Sequence, residues 1–113
     1  MKKTMLILLT FFVIIATGCS SNQMEKLPEG NILNSAKSPD GKYSLETYLC
    51  TVKGEVYIRS AVIENETKES RNVYWDEYND AVDVEWLDNT NVKIEDKTID
   101  VTDEKIYYDY REK

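Results

Sequence analysis

The sequence predicts an all-β fold, a small antiparallel meander or sandwich of about six short strands. Three observations lead to this class. Apolar and polar residues alternate with period two in several short segments, most clearly over residues 82–86. Polar turn segments separate them at spacings of roughly 8–12 residues. Finally, no window keeps a helical period, and residues 19–113 lack the Ala- and Leu-rich stretches that favour helices.

The first two predicted strands form an antiparallel pair. Ser38-Pro39-Asp40-Gly41 predicts the turn before them, because proline presets φ at the second turn position and Asp and Gly follow. Residues 43–50 then alternate with period two, and residues 56–63 do so after a turn at Lys53-Gly54. A polar turn over 65–68 ends the second strand. Alternation of this kind is typical of strands with one buried face.

The later strands are shorter. The third, residues 71–76, is expected to direct Val73 and Trp75 to one face and Asn72 and Tyr74 to the other. The rest of the predicted chain consists of strands over 82–86, 92–94 and 99–101, turns at 88–91 and 95–97, and a Tyr-rich extended segment over 106–110. Together, residues 38–113 are predicted to form a single domain.

Residues 1–18 predict a signal peptide. Two lysines precede an apolar run over 5–16, which is shorter than the roughly 20 residues a membrane-spanning helix needs. The segment Ala16-Thr17-Gly18-Cys19 that follows resembles the lipobox of bacterial lipoproteins, with Ala16 where that family usually has Leu. The resemblance implies cleavage between Gly18 and Cys19 and lipid attachment at Cys19. An ordinary secretory cleavage site and an uncleaved anchor are the alternatives.

The lipobox resemblance implies an exported protein, lipid-anchored on the outer face of the bacterial cytoplasmic membrane. Residues 19–37 are predicted to be the lipidated N-terminus and a flexible tether, since so polar a segment buries too little surface to offset chain entropy. Alternatively, Ile32 and Leu33 pack on the domain as a short edge strand. Cys50 would be an unpaired cysteine, interpreted as a partly buried strand residue, with intermolecular pairing as the alternative.

Composition excludes several function classes. The chain has 14 basic and 21 acidic residues and no histidine; without residues 1–18, twelve basic residues remain and the net charge is −9. Histidine triads and histidine-ligated metals are therefore excluded, and two cysteines cannot form a Cys₄ zinc site. Such an acidic chain argues against nucleic acid as a partner. We expect no cofactor and no enzymatic activity.

Tyrosines supply the candidate interaction surface. Tyr48, Tyr57 and Tyr74 fall on the side of their strands opposite the expected core residues. Tyr and Trp are enriched at protein interfaces because they give large, rigid, amphipathic contact area. An exposed stripe of these side chains would bind a peptide or a glycan. The alternative is that they lie under a second layer built by the C-terminal tyrosines of residues 107–110.

The acidic loop over residues 76–88 is the other candidate site. A Ca²⁺ ion takes six to eight oxygen ligands, and Asp76, Asp80 and Asp83 would be the first to supply them. The loop lacks the spacing and the glycine of an EF-hand, and Asp83 is expected on a solvent-facing strand surface. We therefore expect no metal site, and a cation or small ligand at this loop is the alternative function.

Five segments together resemble a known family. They are Ser38-Pro39-Asp40-Gly41-Lys42-Tyr43, Asn72-Val73-Tyr74-Trp75, Glu85-Trp86-Leu87-Asp88-Asn89, Ile99-Asp100-Val101 and Tyr108-Asp109-Tyr110-Arg111. The stretch resembles a family of small, often membrane-attached proteins of Firmicutes that carries only a domain-of-unknown-function label. The resemblance implies no activity, cofactor or catalytic residue. The expected function is that of a lipid-anchored, non-catalytic β domain that binds an envelope protein or peptide through a sheet face or edge.

Overall fold

The computed structural model describes residues 23–112. This part of the chain contains a short 3₁₀ helix, Gln23–Lys26, and eight strands, which confirms the all-β prediction. The strands are β1 (Asn31–Lys37), β2 (Tyr43–Val52), β3 (Glu55–Glu64), β4 (Ser70–Glu77), β5 (Val84–Trp86), β6 (Asn91–Ile94), β7 (Lys97–Asp100) and β8 (Tyr108–Asp109). The predicted signal peptide, residues 1–18, and Cys19 lie outside the described residues.

The strands form two sheets. The large sheet has the order β1-β2-β3-β4-β8 and the small sheet the order β5-β6-β7. All pairs are antiparallel except β4 and β8, which are parallel. The β2–β3 hairpin is paired over ten residues and closes at Lys53-Gly54, where both residues have positive φ. Both the predicted hairpin and its turn are therefore confirmed.

One face of the large sheet packs against the small sheet, and we call it the inner face. Period-two alternation directs one set of side chains from β2, β3 and β4 toward this layer. The fully buried members of this core are Leu45, Ile58, Val62, Val73, Tyr74, Val92, Ile94, Ile99 and Val101. Burial of this apolar surface, at roughly 25 cal/mol per Å², is the main force that holds the sheets together.

The small sheet is also tied to the large sheet by a hydrogen bond. The indole Nε1 of Trp86 donates to the carbonyl of Ala36 in β1 at 3.0 Å. Trp86 is half-buried, and an indole N–H in such a position usually has an acceptor, so this contact fixes where the end of β5 meets β1. In the small sheet itself, β6 and β7 join through a two-residue turn at Glu95-Asp96, with Glu95 at a φ of 56°.

The other face of the large sheet, the outer face, is crossed by the chain that leads into β1. We call residues Met24–Gly30 the strap. Met24 is only 2% exposed, and it forms a second buried cluster with Cys50 and Trp75. β1 then pairs with β2 along its length.

Residues 23–37 are therefore part of the fold rather than a flexible tether, and the alternative in which Ile32 and Leu33 belong to an edge strand is the one observed. The reason is that contacts with distant strands, which composition does not report, order this polar segment. Within residues 23–112, no helix is long and apolar enough to cross a bilayer.

Candidate functional site

The outer face carries a row of aromatic and cationic side chains. The strand register places Tyr48 of β2 opposite Arg59 of β3, and Arg59 opposite Trp75 of β4. The Arg59 guanidinium lies 4.2 Å from the centre of the Tyr48 ring, a cation–π contact. The Tyr48 hydroxyl donates to the Glu46 carboxylate at 2.5 Å, and this bond raises the pKa of Tyr48. Arg59 thus holds the ring of Tyr48, and Glu46 holds its hydroxyl group.

Tyr57 continues this row of side chains toward the C-terminal segment of the chain. Its ring stacks on Trp75 with centroids 5.1 Å apart and on Tyr110 with centroids 6.1 Å apart. Tyr107 packs on the same cluster, so part of the C-terminal segment covers the outer face. Tyr108 instead faces the inner layer, 5.2 Å from Tyr74. The C-terminal tyrosines therefore divide between the two faces.

Tyr74 does not share the surface of Tyr48 and Tyr57, which corrects the expected grouping. It lies on the inner face, is 2% exposed, and donates its hydroxyl to Asp76 at 3.0 Å. Burial raises the pKa of Tyr74 strongly. The physical reason is a bulge in β4, which reverses the alternation of side chains and gives Trp75 the outer position.

The strap covers the outer face through polar contacts as well as through Met24. Arg59 donates from one terminal nitrogen to the carbonyl of Glu29 at 2.6 Å and from the other to the side-chain oxygen of Asn72 at 2.8 Å. The amide nitrogen of Asn72 donates to the carbonyl of Met24 at 2.5 Å. Arg59 and Asn72 together fasten both ends of the strap to the sheet.

Cys50 lies beneath the strap and is fully buried. Its sulfur donates to the carbonyl of Pro28 at 3.6 Å, and burial raises the pKa of the thiol. A thiolate is the reactive form of cysteine, so this thiol is held in its inert form. Gly30 makes the close approach possible: with φ at 72°, an added Cβ would lie 2.6 Å from the Cys50 sulfur. The interpretation of Cys50 as a buried strand residue agrees with this placement.

The acidic loop is not organised as a metal site. The described residues contain no group of three or more His, Cys, Asp or Glu side chains able to hold a metal ion. Asp76 accepts bonds from Tyr74 and from the backbone N–H of Glu77, while Asp83 donates its backbone N–H to the Glu95 carboxylate. Asp76, Asp80 and Asp83 are thus not brought together as ligands.

Two concave regions of the surface have a structural explanation. Arg71 lines both of them, of about 280 and 220 Å³. Its guanidinium donates to the backbone carbonyls of Val101, Asp103 and Ile106, and burial lowers its pKa. Arg71 therefore fixes the segment after β7 to the large sheet, because its terminal nitrogens donate to backbone carbonyls of that segment.

A free sheet edge is the other surface that could bind a partner, and a sheet edge is one of the two kinds of site that the sequence predicts. β1 pairs with β2 on one side only, so its other side is an edge of the large sheet. Within the described residues, the other edge strands have two to four residues, whereas β1 has seven. Ile32 is 56% exposed and Leu33 is 43% exposed. In the sequence, the feature that indicates this edge strand is the apolar pair Ile32 and Leu33, which lies between two asparagines.

Fold and surface thus define a small two-sheet β protein with a covered aromatic face and one long free edge. The chain belongs to the Family of unknown function (DUF5412), whose profile matches residues 1–113. This bears out the resemblance at the level of a family without an assigned function. Comparisons with curated proteins and with solved structures gave no match.

Proposed function

We propose that this protein is an exported lipoprotein, lipidated at Cys19 and held on the outer face of a bacterial cytoplasmic membrane. Its β domain is a non-catalytic interaction module. It binds an extended segment of an envelope protein or peptide by adding a strand to the free edge of β1. The carrying observation is the outer edge of β1, which no other strand pairs with and where, among the described contacts, Trp86 bonds to the Ala36 carbonyl, with Ile32 and Leu33 exposed.

The physics of a sheet edge supports this choice. An edge strand presents a row of unpaired backbone N–H and C=O groups, and an extended peptide satisfies them by pairing. Side chains next to the edge then give specificity, and Ile32 and Leu33, neighbours at the register shift in β1, are the exposed apolar contacts available for it. Tyr48 and Tyr57, in contrast, are half-buried beneath or beside the strap and the C-terminal segment.

Charge indicates which kind of peptide fits. Residues Asn31–Ala36 are uncharged, in a chain that carries a net charge of −9 from Cys19 onward. An uncharged or basic segment can approach this edge, while a second copy of the domain would bring another −9 with it. We therefore favour a different protein as the partner.

The lipid anchor has a direct test. Cells expressing the full chain are given radiolabelled palmitate, and the label on the protein is compared among the wild type, Cys19→Ala and the matched control Cys50→Ser. We expect label on the wild type and on Cys50→Ser, and none on Cys19→Ala. Label that survives Cys19→Ala, or a wild type that takes none, would exclude this anchor.

The edge is tested by site-specific photo-crosslinking on intact membranes. A photoreactive amino acid replaces Leu33, or Leu87 as a control, because Leu87 is also an exposed apolar residue at 49% exposure. We expect a discrete protein adduct from position 33 that is lost in an Ile32→Glu background and absent at position 87. The same adduct from both positions, or none from position 33, would contradict binding at this edge.

A further inference from the structure

We infer that the strap holds the domain against the membrane surface, so that the β1 edge can pair only with a segment close to the bilayer. The partner would then be the juxtamembrane segment of another membrane protein. This inference rests on the proposed lipid anchor at Cys19. It is carried by three features of the described chain: where the strap begins, how it is fastened, and which strands it crosses.

The strap begins very soon after the proposed anchor. Met24 is 2% exposed and its carbonyl accepts a bond from Asn72 of β4. Only four peptide units separate Cys19 from Gln23, and a chain of that length spans at most about 14 Å whatever its conformation. A free tether over residues 19–37 would instead have an r.m.s. reach of about 24 Å. The fastening at Met24 thus replaces a long tether by a short one.

The strap then crosses the outer face from β4 to β2. Met24 contacts Asn72 on β4, and residues 28–30 lie over Cys50 on β2, where the Glu29 carbonyl also accepts the Arg59 side chain from β3. The chain turns directly from there into β1. Three strand spacings of about 4.8 Å separate β4 from β1, which is about 14 Å. The free edge therefore lies within roughly 30 Å of the lipidated residue.

The net charge of the chain makes the length of the link between Cys19 and the strap important. From Cys19 onward the chain carries a net charge of −9, which an anionic membrane surface repels. The Debye length at physiological salt is about 8 Å, so a domain on a long tether would stand beyond the repulsive layer. A domain fastened at Met24 can withdraw by at most about 14 Å, less than two Debye lengths, and therefore feels more of the repulsion than a domain on a long tether. The strap is what opposes the repulsion and keeps the edge near the bilayer.

The test measures the distance from the edge to the membrane. Lipidated full-length protein carrying Ile32→Cys with a fluorescent donor is reconstituted into phosphatidylglycerol/phosphatidylethanolamine vesicles with a headgroup-labelled acceptor. Cys50 is fully buried, and every protein in this series also carries Cys50→Ser, so that the donor attaches at position 32 alone. We expect strong energy transfer that does not depend on salt. Insertion of 15 Gly/Ser residues between Asn22 and Gln23 is expected to reduce the transfer by at least half at low salt and to make it salt-dependent.

Two further variants address the strap itself. Met24→Ser removes the buried side chain that begins the strap, and we expect an intermediate loss of transfer. Gln23→Ser changes the exposed neighbouring residue and is expected to leave the transfer unchanged. Equal transfer in the wild type and the insertion variant would overturn this inference while leaving the anchor in place. A wild-type chain that does not float with the vesicles would overturn the anchor instead.

Discussion

Val73 and Tyr74 are consecutive residues of β4, yet both side chains lie in the layer between the two sheets. The register explains this, because Ser60 pairs with Tyr74 while Ala61 pairs with Asn72. Val73 is the extra residue of a β-bulge, and a bulge redirects the side chains that follow it. Trp75 is consequently turned to the outer face, where it stacks on Tyr57.

The bulge makes Tyr74 a core residue, and this can be measured. Tyr74→Ala is expected to lower the free energy of unfolding by about 3–5 kcal/mol, as large-to-small changes at buried aromatics do. Tyr48→Ala, at a half-buried position, is expected to cost clearly less. Urea unfolding followed by circular dichroism gives both values. Equal costs for the two variants would show that Tyr74 is not enclosed between the sheets.

Two of the three positive-φ glycines in the described residues give a matched test of the strap. Gly30 and Gly41 have φ values of 72° and 76°, so an alanine at either position carries the same backbone strain, about 1–2 kcal/mol. At Gly41 an added Cβ meets nothing within 4 Å, whereas at Gly30 it would lie 2.6 Å from the Cys50 sulfur and from the Leu49 carbonyl oxygen.

We therefore expect Gly30→Ala to destabilise the protein by about 1–3 kcal/mol more than Gly41→Ala, the usual cost of overpacking. The unfolding midpoints in urea measure the difference. If the two alanine variants are equally stable, the strap does not approach β2 as closely as the contact at Gly30 requires.

These features show how far the sequence alone leads. Strands β2 to β7 were each predicted within about two residues, because alternation and turn residues are local signals. The inner position of Tyr74 was missed because a bulge depends on the partner strand. The strap was missed for a similar reason: Asn72 contacts Met24 across 48 positions of sequence, and nothing in the composition of residues 23–30 indicates that contact.

The free edge was only partly predictable. Ile32 and Leu33 suggested an edge strand, but the asparagine- and serine-rich surroundings have no period-two pattern and resemble a linker. What orders β1 is its pairing with β2 and the bond from Trp86 to Ala36, both of which are tertiary. Likewise, the period-two spacing of the strands predicts a surface with tyrosines, but it does not predict that the strap covers this surface.

The burial of Cys50 predicts its reactivity. Since burial raises the pKa of the thiol and the strap covers it, we expect very slow labelling by a maleimide at neutral pH in the native protein. Met24→Ser loosens the strap and is expected to accelerate labelling at least tenfold, whereas Gln23→Ser leaves it unchanged. Mass spectrometry of the labelled chain gives the rates. Rapid labelling of the wild type would mean that the strap does not protect Cys50.

Asp109 and Arg111 predict how stability changes in acid. Both carboxylate oxygens of Asp109 accept bonds from the Arg111 side chain, at 2.8 and 2.7 Å, and these bonds hold the pKa of Asp109 below its usual value. A carboxyl with a lowered folded-state pKa adds stability above its unfolded pKa of about 3.9, and that stability is lost as the pH falls through the folded value.

We therefore expect the urea concentration at the unfolding midpoint to decrease as the pH is lowered below about 4. Asp109→Asn is expected to lower the free energy of unfolding at pH 7 and to make it depend less on pH in this acid range. The loss at pH 7 should be about 1–3 kcal/mol, since Asp109 is only 4% exposed and Arg111 is left without its partner. Asp96→Asn is the control, because the Asp96–Lys97 pair is exposed and such pairs contribute at most about 1 kcal/mol. An unchanged acid dependence in Asp109→Asn would show that other carboxyls govern it.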